Sequence, residues 1–441
     1  MKIPRSAPTV PDMMAELGTG PEIMIRILAQ VREPTVNGRY VHWDKLRHLD
    51  APPGLDHTRW WLGLKMSRLA QRRAIPLVDQ AGRSFSFIIP DPLPECLHHA
   101  DSGARGAIGA PEEILNRDVK DQYLIRSLIE ESITSSQLEG ASVTRDIAKR
   151  MLREGRPPRD RGERMILNNF ETMQQIIQVK DRELTPGLIA ELQKIATKET
   201  LDDPSGSGRL RRSDERIVVG DDTGEVFHTP PPAVQLEERM ELMCGFANGA
   251  TGAGFIHPMI RSMILHFWMA YDHPFIDGNG RTARALFYWS MLKQGYWLFE
   301  FLSISRIILK GPAKYGKAFL HSETDENDLT YFLLYHADII RRAIDELHVY
   351  IERKSSQLRR AEAGLRGMSE LNHRQRNLIF HALRHPGQRY TIESHRASHK
   401  TVYETARADL TNLAERGLLT KIKVGQAWNF FPAKDLEDKL R

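Results

Sequence analysis

His273-Pro274-Phe275-Ile276-Asp277-Gly278-Asn279-Gly280-Arg281-Thr282-Ala283-Arg284 lies between two strongly helical segments, Pro258–Tyr271 and Asn279–Lys293. Gly278 and Gly280 free the backbone to take positive φ and to expose successive N–H groups where the second helix starts. Those N–H groups and the positive end of the helix dipole make an anion site suited to phosphate. Arg281 and Arg284, three residues apart, project from one face of the first turn toward whatever the loop holds. Asp277 offers the hard oxygen ligand that a phosphate-bridging Mg2+ prefers. His273, at the loop entrance, has an ordinary pKa of about 6.5 and can take a proton from an attacking hydroxyl. Singly, a Gly-Asn-Gly is a turn, a histidine a satisfied core group, and two arginines a solvated face. Together, in this order on a helix-loop-helix, they describe phosphate chemistry.

Outward from that loop, helical periodicity governs residues 112–355. It predicts helices over Asp118–Leu138, Val143–Arg153, Gly162–Val179, Pro186–Glu199, Ala233–Ala247, Pro312–Glu323 and Leu329–Ile351. In Pro258–Tyr271, residues Ile260, Ile264, Phe267, Trp268 and Tyr271 recur as one buried stripe requires. Arg216–Val226 interrupts the run. The β-branched Ile217-Val218-Val219, a Gly/Asp turn and a return through Val226 signal a hairpin, and Pro230-Pro231-Pro232 stops strand and helix until Ala233. Upstream, residues 1–111 mix short apolar runs with Pro and Gly. There Phe85–Ile89 reads as a strand and Gly103–Pro111 as a linker. Downstream, residues 366–441 carry helices over Arg374–Arg384 and Thr401–Glu415, then Thr420–Val424 and Ala427–Phe431 pairing across Gly425-Gln426. Helices followed by a two-stranded wing describe a winged helix-turn-helix. The expected fold is mainly α, in three regions: 1–111, 112–355 and 366–441.

Net charge is +5, and residues 366–441 hold 14 lysines and arginines against 8 acidic residues. A basic terminal module on a nearly neutral body suits an acidic partner or, equally, a solvated face. No stretch approaches the ~20 apolar residues of a membrane span. The first residues lack the apolar core of a secretory signal. Cys96 and Cys244 lie far apart without metal-ligand spacing and read as ordinary thiols of a reducing cytosol.

The 273–284 run resembles the signature of the Fic family, His-Pro-Phe-x-Asp/Glu-Gly-Asn-Gly-Arg-x-x-Arg, at every specified position. The helical setting, roughly 118–351, resembles the family's core. The resemblance implies transfer of AMP from ATP to a protein hydroxyl. It makes His273 the base and puts Asp277 on Mg2+. Gly278, Asn279, Gly280 and Arg281 hold the phosphates, and Arg284 reaches the γ-phosphate. His257-Pro258 and His266 recur in similar family contexts, where structural roles suit them. The family branch that transfers the γ-phosphate carries Lys where this chain has Gly280, which points away from phosphorylation.

The 216–226 hairpin resembles the family's flap, with Ile217, Val218 and Val219 pairing with the target backbone by strand addition. The plainer reading is a surface hairpin. Ser135-Ser136-Gln137-Leu138-Glu139-Gly140 resembles the family's inhibitory motif, in which Ser135 and Glu139 stand one turn apart and Glu139 pairs with Arg284. In some members the equivalent Glu supports AMP removal, so a de-AMPylase stays open. The tail resembles the winged helix of many bacterial Fic proteins. Lys400, Arg407, Lys421 and Lys423 are its candidate DNA contacts, and dimerisation or substrate docking weighs equally. Expected partners are a target protein, this chain itself included, DNA, and a second copy in a homodimer. Membranes are not among them, and the expected location is the cytoplasm. Two other classes remain: a DNA-binding regulator with the core as nucleotide sensor, and a toxin of a toxin–antitoxin pair.

Overall fold

The computed structural model describes residues 2–17, 20–104, 117–221, 223–250, 254–424 and 427–440. Most of the Gly103–Pro111 linker, Asp222 of the hairpin and the Gly425-Gln426 turn lie outside the described residues. The chain forms two compact units, Met1–Gly106 with Ser127–Ile344, and Ala107–Arg126 with Asp345–Arg441.

In the first unit, helix α1 (His57–Leu69) and the segments before it bury Met13, Ile27, Val31, Trp60, Trp61 and Leu64 in one core. Strands β1 (Arg73–Val78) and β2 (Ser84–Phe87) pair antiparallel. Sequence reading found β2 but not β1, because Pro76 inside a strand argues against one; a two-stranded sheet leaves it an edge to occupy.

Helix α2 (Arg117–Leu138) ends where Gly140 takes φ 91° and the Ala141 N–H reaches back to the Ser136 carbonyl. Helix α3 (Arg161–Val179) is capped by Asp160. Helix α4 (Pro186–Ala196) is capped by Thr185, with Pro186 in its first turn. Strands β3 (Val219–Gly220) and β4 (Val226–His228) form the expected hairpin with a shifted, shorter ladder, Val219 facing His228 and Gly220 facing Val226. Ile217 and Val218 precede the ladder, so of the three residues expected in the strand only Val219 is in it. A turn at Ala233–Gln235 and helix α5 (Leu236–Ala247) follow the prolines.

Helices α6 (Pro258–Asp272) and α7 (Asn279–Lys293) pack against each other at the centre, with α5 against α6 and α3 and α4 against α7. Neither shows a single stripe. In α6, Met259, Ser262, Met263, Leu265, His266 and Met269 are buried along with the expected residues, because neighbours cover the helix all round. His266 is sealed in, its ring nitrogens bonded to His336 and Tyr315, as a structural histidine should be. Helices α8 (Pro312–Glu323) and α9 (Thr330–Gly367) complete the helical order, and α9 runs unbroken well past the expected end at Ile351.

The second unit has its own core of Leu378, Ile379, Leu410, Leu413 and Phe430. Helix α10 (His373–Arg384) starts with an Asn372–Gln375 capping box. Strand β5 (Tyr390–Thr391), α11 (Ile392–His399), α12 (Tyr403–Glu415), β6 (Leu419–Val424) and β7 (Ala427–Pro432) follow, in sheet order β5-β7-β6. The helix α11 and strand β5 were not expected.

Candidate functional site

The 273–284 loop is held from inside. The Asn279 carboxamide donates to the Phe275 carbonyl at 2.8 Å and accepts from the Phe275 N–H at 3.0 Å, closing the turn on itself. Asn279 is thereby committed to the loop rather than free for a phosphate. Gly278 takes φ 81°, and a Cβ there would lie 2.5 Å from Thr197 Cγ2, so both conformation and space demand glycine. Helix α7 begins at the next residue and points its first amides into the loop.

His273 terminates α6 in the left-handed region, at φ 44° and ψ 56°, where glycine is usual. Its Nδ1 lies 3.3 Å from the Ala270 carbonyl. A carbonyl only accepts, so Nδ1 carries the proton and Nε2 keeps the lone pair. Burial pulls the pKa of the ring from its ordinary value down to about 4, with the His228 and Arg211 charges in the same direction and Glu139 opposing. The imidazole is therefore neutral at pH 7 and able to accept a proton, rather than about a quarter protonated as its ordinary pKa of about 6.5 implies.

Arg281 and Arg284 are both buried, but their hydrogen bonds differ. Arg284 Nε donates to Ser135 Oγ at 2.8 Å, and its Nη2 donates to the Ser135 carbonyl at 3.0 Å and to Glu139 Oε1 at 2.8 Å. Burial alone would raise the Glu139 pKa; Arg284 beside it, with Arg281 and His273, outweighs burial and keeps the carboxyl below its ordinary value. Arg281 donates through Nη1 to the Ala196 carbonyl, while its buried Nε and Nη2 have no hydrogen-bond acceptor. Asp277 stands 3.5 Å from Nη2, an ion pair without a hydrogen bond. A buried guanidinium with two spare donors at a helix N-terminus is a place for an anion.

Glu139 also lies directly over Gly280. A Cβ on Gly280 would come within 2.2 Å of Glu139 Oε1. The carboxylate thus sits against the first turn of α7, where phosphate is expected from the sequence. Beside it opens a cleft of about 690 Å3, lined among others by Glu139, Arg161, Met165, Leu201, Ile276 and Asp277.

Asp277 is the acidic candidate for Mg2+. Its Oδ1 accepts from the Gly278 N–H at 2.5 Å, and its side chain is 41% exposed. Among the described residues no group of three His, Cys, Asp or Glu side chains could hold a metal. One open carboxylate fits an ion that arrives on phosphates with its own waters, not one held by the protein alone.

Two supports escaped sequence reading. Gln193 donates to the Asp277 carbonyl at 3.0 Å and accepts from the Gly208 N–H at 2.7 Å. Arg211 bonds the His273 carbonyl at 3.0 Å. Neither carries a local pattern, since both act across the fold. On the hairpin, Val218 is 52% exposed and Val219 pairs with β4, while His228 bonds Glu323 at 2.6 Å and the Tyr271 carbonyl at 2.7 Å.

Residues 183–291 match the Fic/DOC family. A Drosophila yakuba protein named protein adenylyltransferase Fic is 28% identical over 145 residues, 32% of this chain and 26% of the relative. Its Culex quinquefasciatus namesake is 27% identical over 143 residues, 32% of this chain and 25% of the relative. The match therefore spans about a quarter of those relatives. Among solved structures, a Fic family protein from Desulfovibrio desulfuricans G20 superposes with a TM-score of 0.51 at 16% identity, covering 77% of this chain and 95% of that one.

Proposed function

We propose, from the premise that this chain is a Fic-family protein, that it is a protein adenylyltransferase restrained by its own Glu139. One observation carries this reading: a neutral His273 with a free Nε2 shares a loop with a helix N-terminus and a buried, under-bonded Arg281. In the proposed step the hydroxyl oxygen of a target Ser, Thr or Tyr attacks the α-phosphorus of ATP. Its proton passes to His273 Nε2. The bond from the α-phosphorus to the bridging oxygen breaks, and diphosphate leaves with that oxygen. The α7 amides and Arg281 stabilise charge on the phosphates, and Arg284 would position the γ-phosphate. Mg2+, when bound through Asp277 and the phosphates, would neutralise part of that charge.

The carboxylate over Gly280 and on Arg284 supports restraint, because it takes the contact the γ-phosphate needs. The hairpin is read as the flap that receives the target. Labelled ATP with the Glu139→Gly variant and host lysate, followed by mass spectrometry, tests the reading; no labelled protein, self-modification included, sinks it. Removal of AMP through Glu139 is the second reading, and release of AMP from a modified target by the wild type alone would favour it.

The second unit is read as a winged helix-turn-helix, with α11 and α12 as the helical pair and β6–β7 as the wing. Lys421 and Lys423 are exposed on β6, Lys421 4.4 Å over the Trp428 ring. That surface suits nucleic-acid phosphates; a second copy or a protein substrate is the competing occupant. A cytoplasmic location is part of the proposal. Among the described residues no helix is long and apolar enough to cross a membrane.

A further inference from the structure

Segment 206–211 lies along the catalytic loop and touches it repeatedly. A Cβ on Gly206 would fall 1.9 Å from Ile276 Cδ1, so the Ile276 side chain of the loop packs directly onto the Gly206 backbone. Gly208 reaches Asp277 through Gln193. Arg211 ends the segment with three bonds. Its backbone N–H donates to the Pro274 carbonyl at 2.8 Å, its Nε donates to the His273 carbonyl at 3.0 Å, and its Nη2 donates to the Pro231 carbonyl.

The Arg211 side chain is buried, yet among the described residues no carboxylate pairs with it. Asp272, close enough to be felt electrostatically, is engaged by Arg239 and Trp268. A buried guanidinium spent on main-chain carbonyls is there for geometry. The geometry concerned is unusual. His273 holds a left-handed backbone without being glycine, a conformation that persists only when its surroundings impose it. Its N–H bonds Met269 O at 3.2 Å on one side, and Arg211 grips its carbonyl and the next on the other. Pro231, the third partner, follows the return strand of the hairpin closely.

We propose that Arg211 is the positioning residue of the transfer step, locking the His273-Pro274 backbone to Pro231 so that the base and the target-receiving hairpin keep a fixed separation. This rests on the reading of His273 as base and the hairpin as flap. Arg211 need not touch substrate. Lysine at this position keeps the charge but cannot fork to two carbonyls.

The test uses the full chain in the Glu139→Gly background, with Arg211→Lys and Arg211→Ala. Misplacement by an ångström can cost about a hundredfold, so kcat should fall roughly 10–100-fold in both. KM for ATP should stay within about twofold, because the phosphate loop keeps its own bonds. A kcat for Arg211→Lys within about threefold of its parent would overturn the proposal. So would a loss carried wholly by KM for ATP, or an Arg211→Lys protein that fails to fold, which would make the residue merely structural. An inactive Glu139→Gly parent would instead defeat the adenylyl-transfer reading. The clamp is then judged by hydrogen exchange. Arg211→Lys should speed exchange of the His273 and Val226–His228 amides by about tenfold or more, and unchanged exchange overturns it.

Discussion

Two clusters of buried cations sit in the same unit and differ in how their charges are answered. Near α1, Lys65 donates to Asp325 and forms an ion pair with Glu326, each at 2.7 Å, and Arg68 donates to Tyr331 Oη at 2.9 Å, which donates to Asp325 at 2.7 Å. Arg68 also donates through Nε and Nη2 to the carbonyls of Pro34 and Val41. Cations meet acids, and the remaining donors meet carbonyls. At the head of α7, Arg284 is answered by Glu139 and by Ser135, and among the described residues Arg281 keeps two donors idle. The first cluster sets an acid against each cation and joins the N-terminal residues to the helical core. The second leaves two buried donors of Arg281 that an anion would satisfy. Burial of arginine identifies neither; the balance of donors and acceptors separates them.

The sharpest way to break the contrast is at the base. In the Glu139→Gly background, His273→Ala should lower AMP transfer by about 10²–10⁴-fold. Thermal unfolding should hardly move, since the ring makes one long hydrogen bond. Matching label incorporation by the two proteins would remove His273 from the mechanism.

Next come the carboxylates. Asp325→Ala leaves the buried Arg68 without its acid and Lys65 with Glu326 alone, and should cost about 3–5 kcal/mol in urea unfolding. Glu139→Gly leaves the buried Arg284 its two bonds to Ser135 and opens beside a cleft, so it should cost less than Asp325→Ala. Similar losses for both would mean that the two clusters are alike.

Glu139→Gly should also raise transfer roughly 5–150-fold, the range of a coupling of about 1–3 kcal/mol. Glu139→Asp should be intermediate, and adding Arg284→Ala should cancel the gain. Label incorporation by the four proteins side by side decides it, and equal rates for wild type and Glu139→Gly reduce Glu139 to a helix-end residue.

A smaller effect concerns the wing. If it binds DNA, log affinity should fall linearly with log salt, and reversing Lys421 and Lys423 should lower the slope by about one each. No DNA shift at low salt leaves dimerisation or docking.

The smallest expected effect is none. Burial would raise the Glu139 pKa, but Arg284 holds it below the ordinary carboxylate value of about 4.3. The pair is fully formed above that value and is lost only as pH falls through the lower folded pKa. The ratio of Glu139→Gly to wild-type transfer should therefore be flat from pH 8 to about 5. A ratio that collapses toward one by pH 6 would contradict the depressed pKa.

The central elements were legible where local chemistry and packing agreed. Asn279–Lys293 and Pro312–Glu323 have the bounds read from sequence, each announced by a glycine or proline start. The α9 extension was missed although Leu358, Ala361 and Leu365 keep helical spacing beyond Ile351 and pack into the second unit's core. Helix α11 is short and rich in Ser and His, and its only sharp signal was the Thr391–Ser394 capping box. At the site, the residue types of 273–284 could be read, but their bonding could not. Asn279 closes the loop on Phe275, four residues away, in a bond that residue type alone does not announce, while the neutral His273 and the grip of Arg211 depend on partners tens of residues away.

The closeness of Glu139 to Gly280 has a kinetic consequence. On the proposed reading, the carboxylate is a tethered competitor, occupying the volume over the first turn of α7 that a terminal phosphate would claim. Tethering gives it an effective concentration fixed by the end of α2, commonly of millimolar order or above for a short link. More ATP alone would then compete poorly for that volume. Whatever switches the protein on must act on the last turn of α2, drawing the tether back rather than outnumbering it.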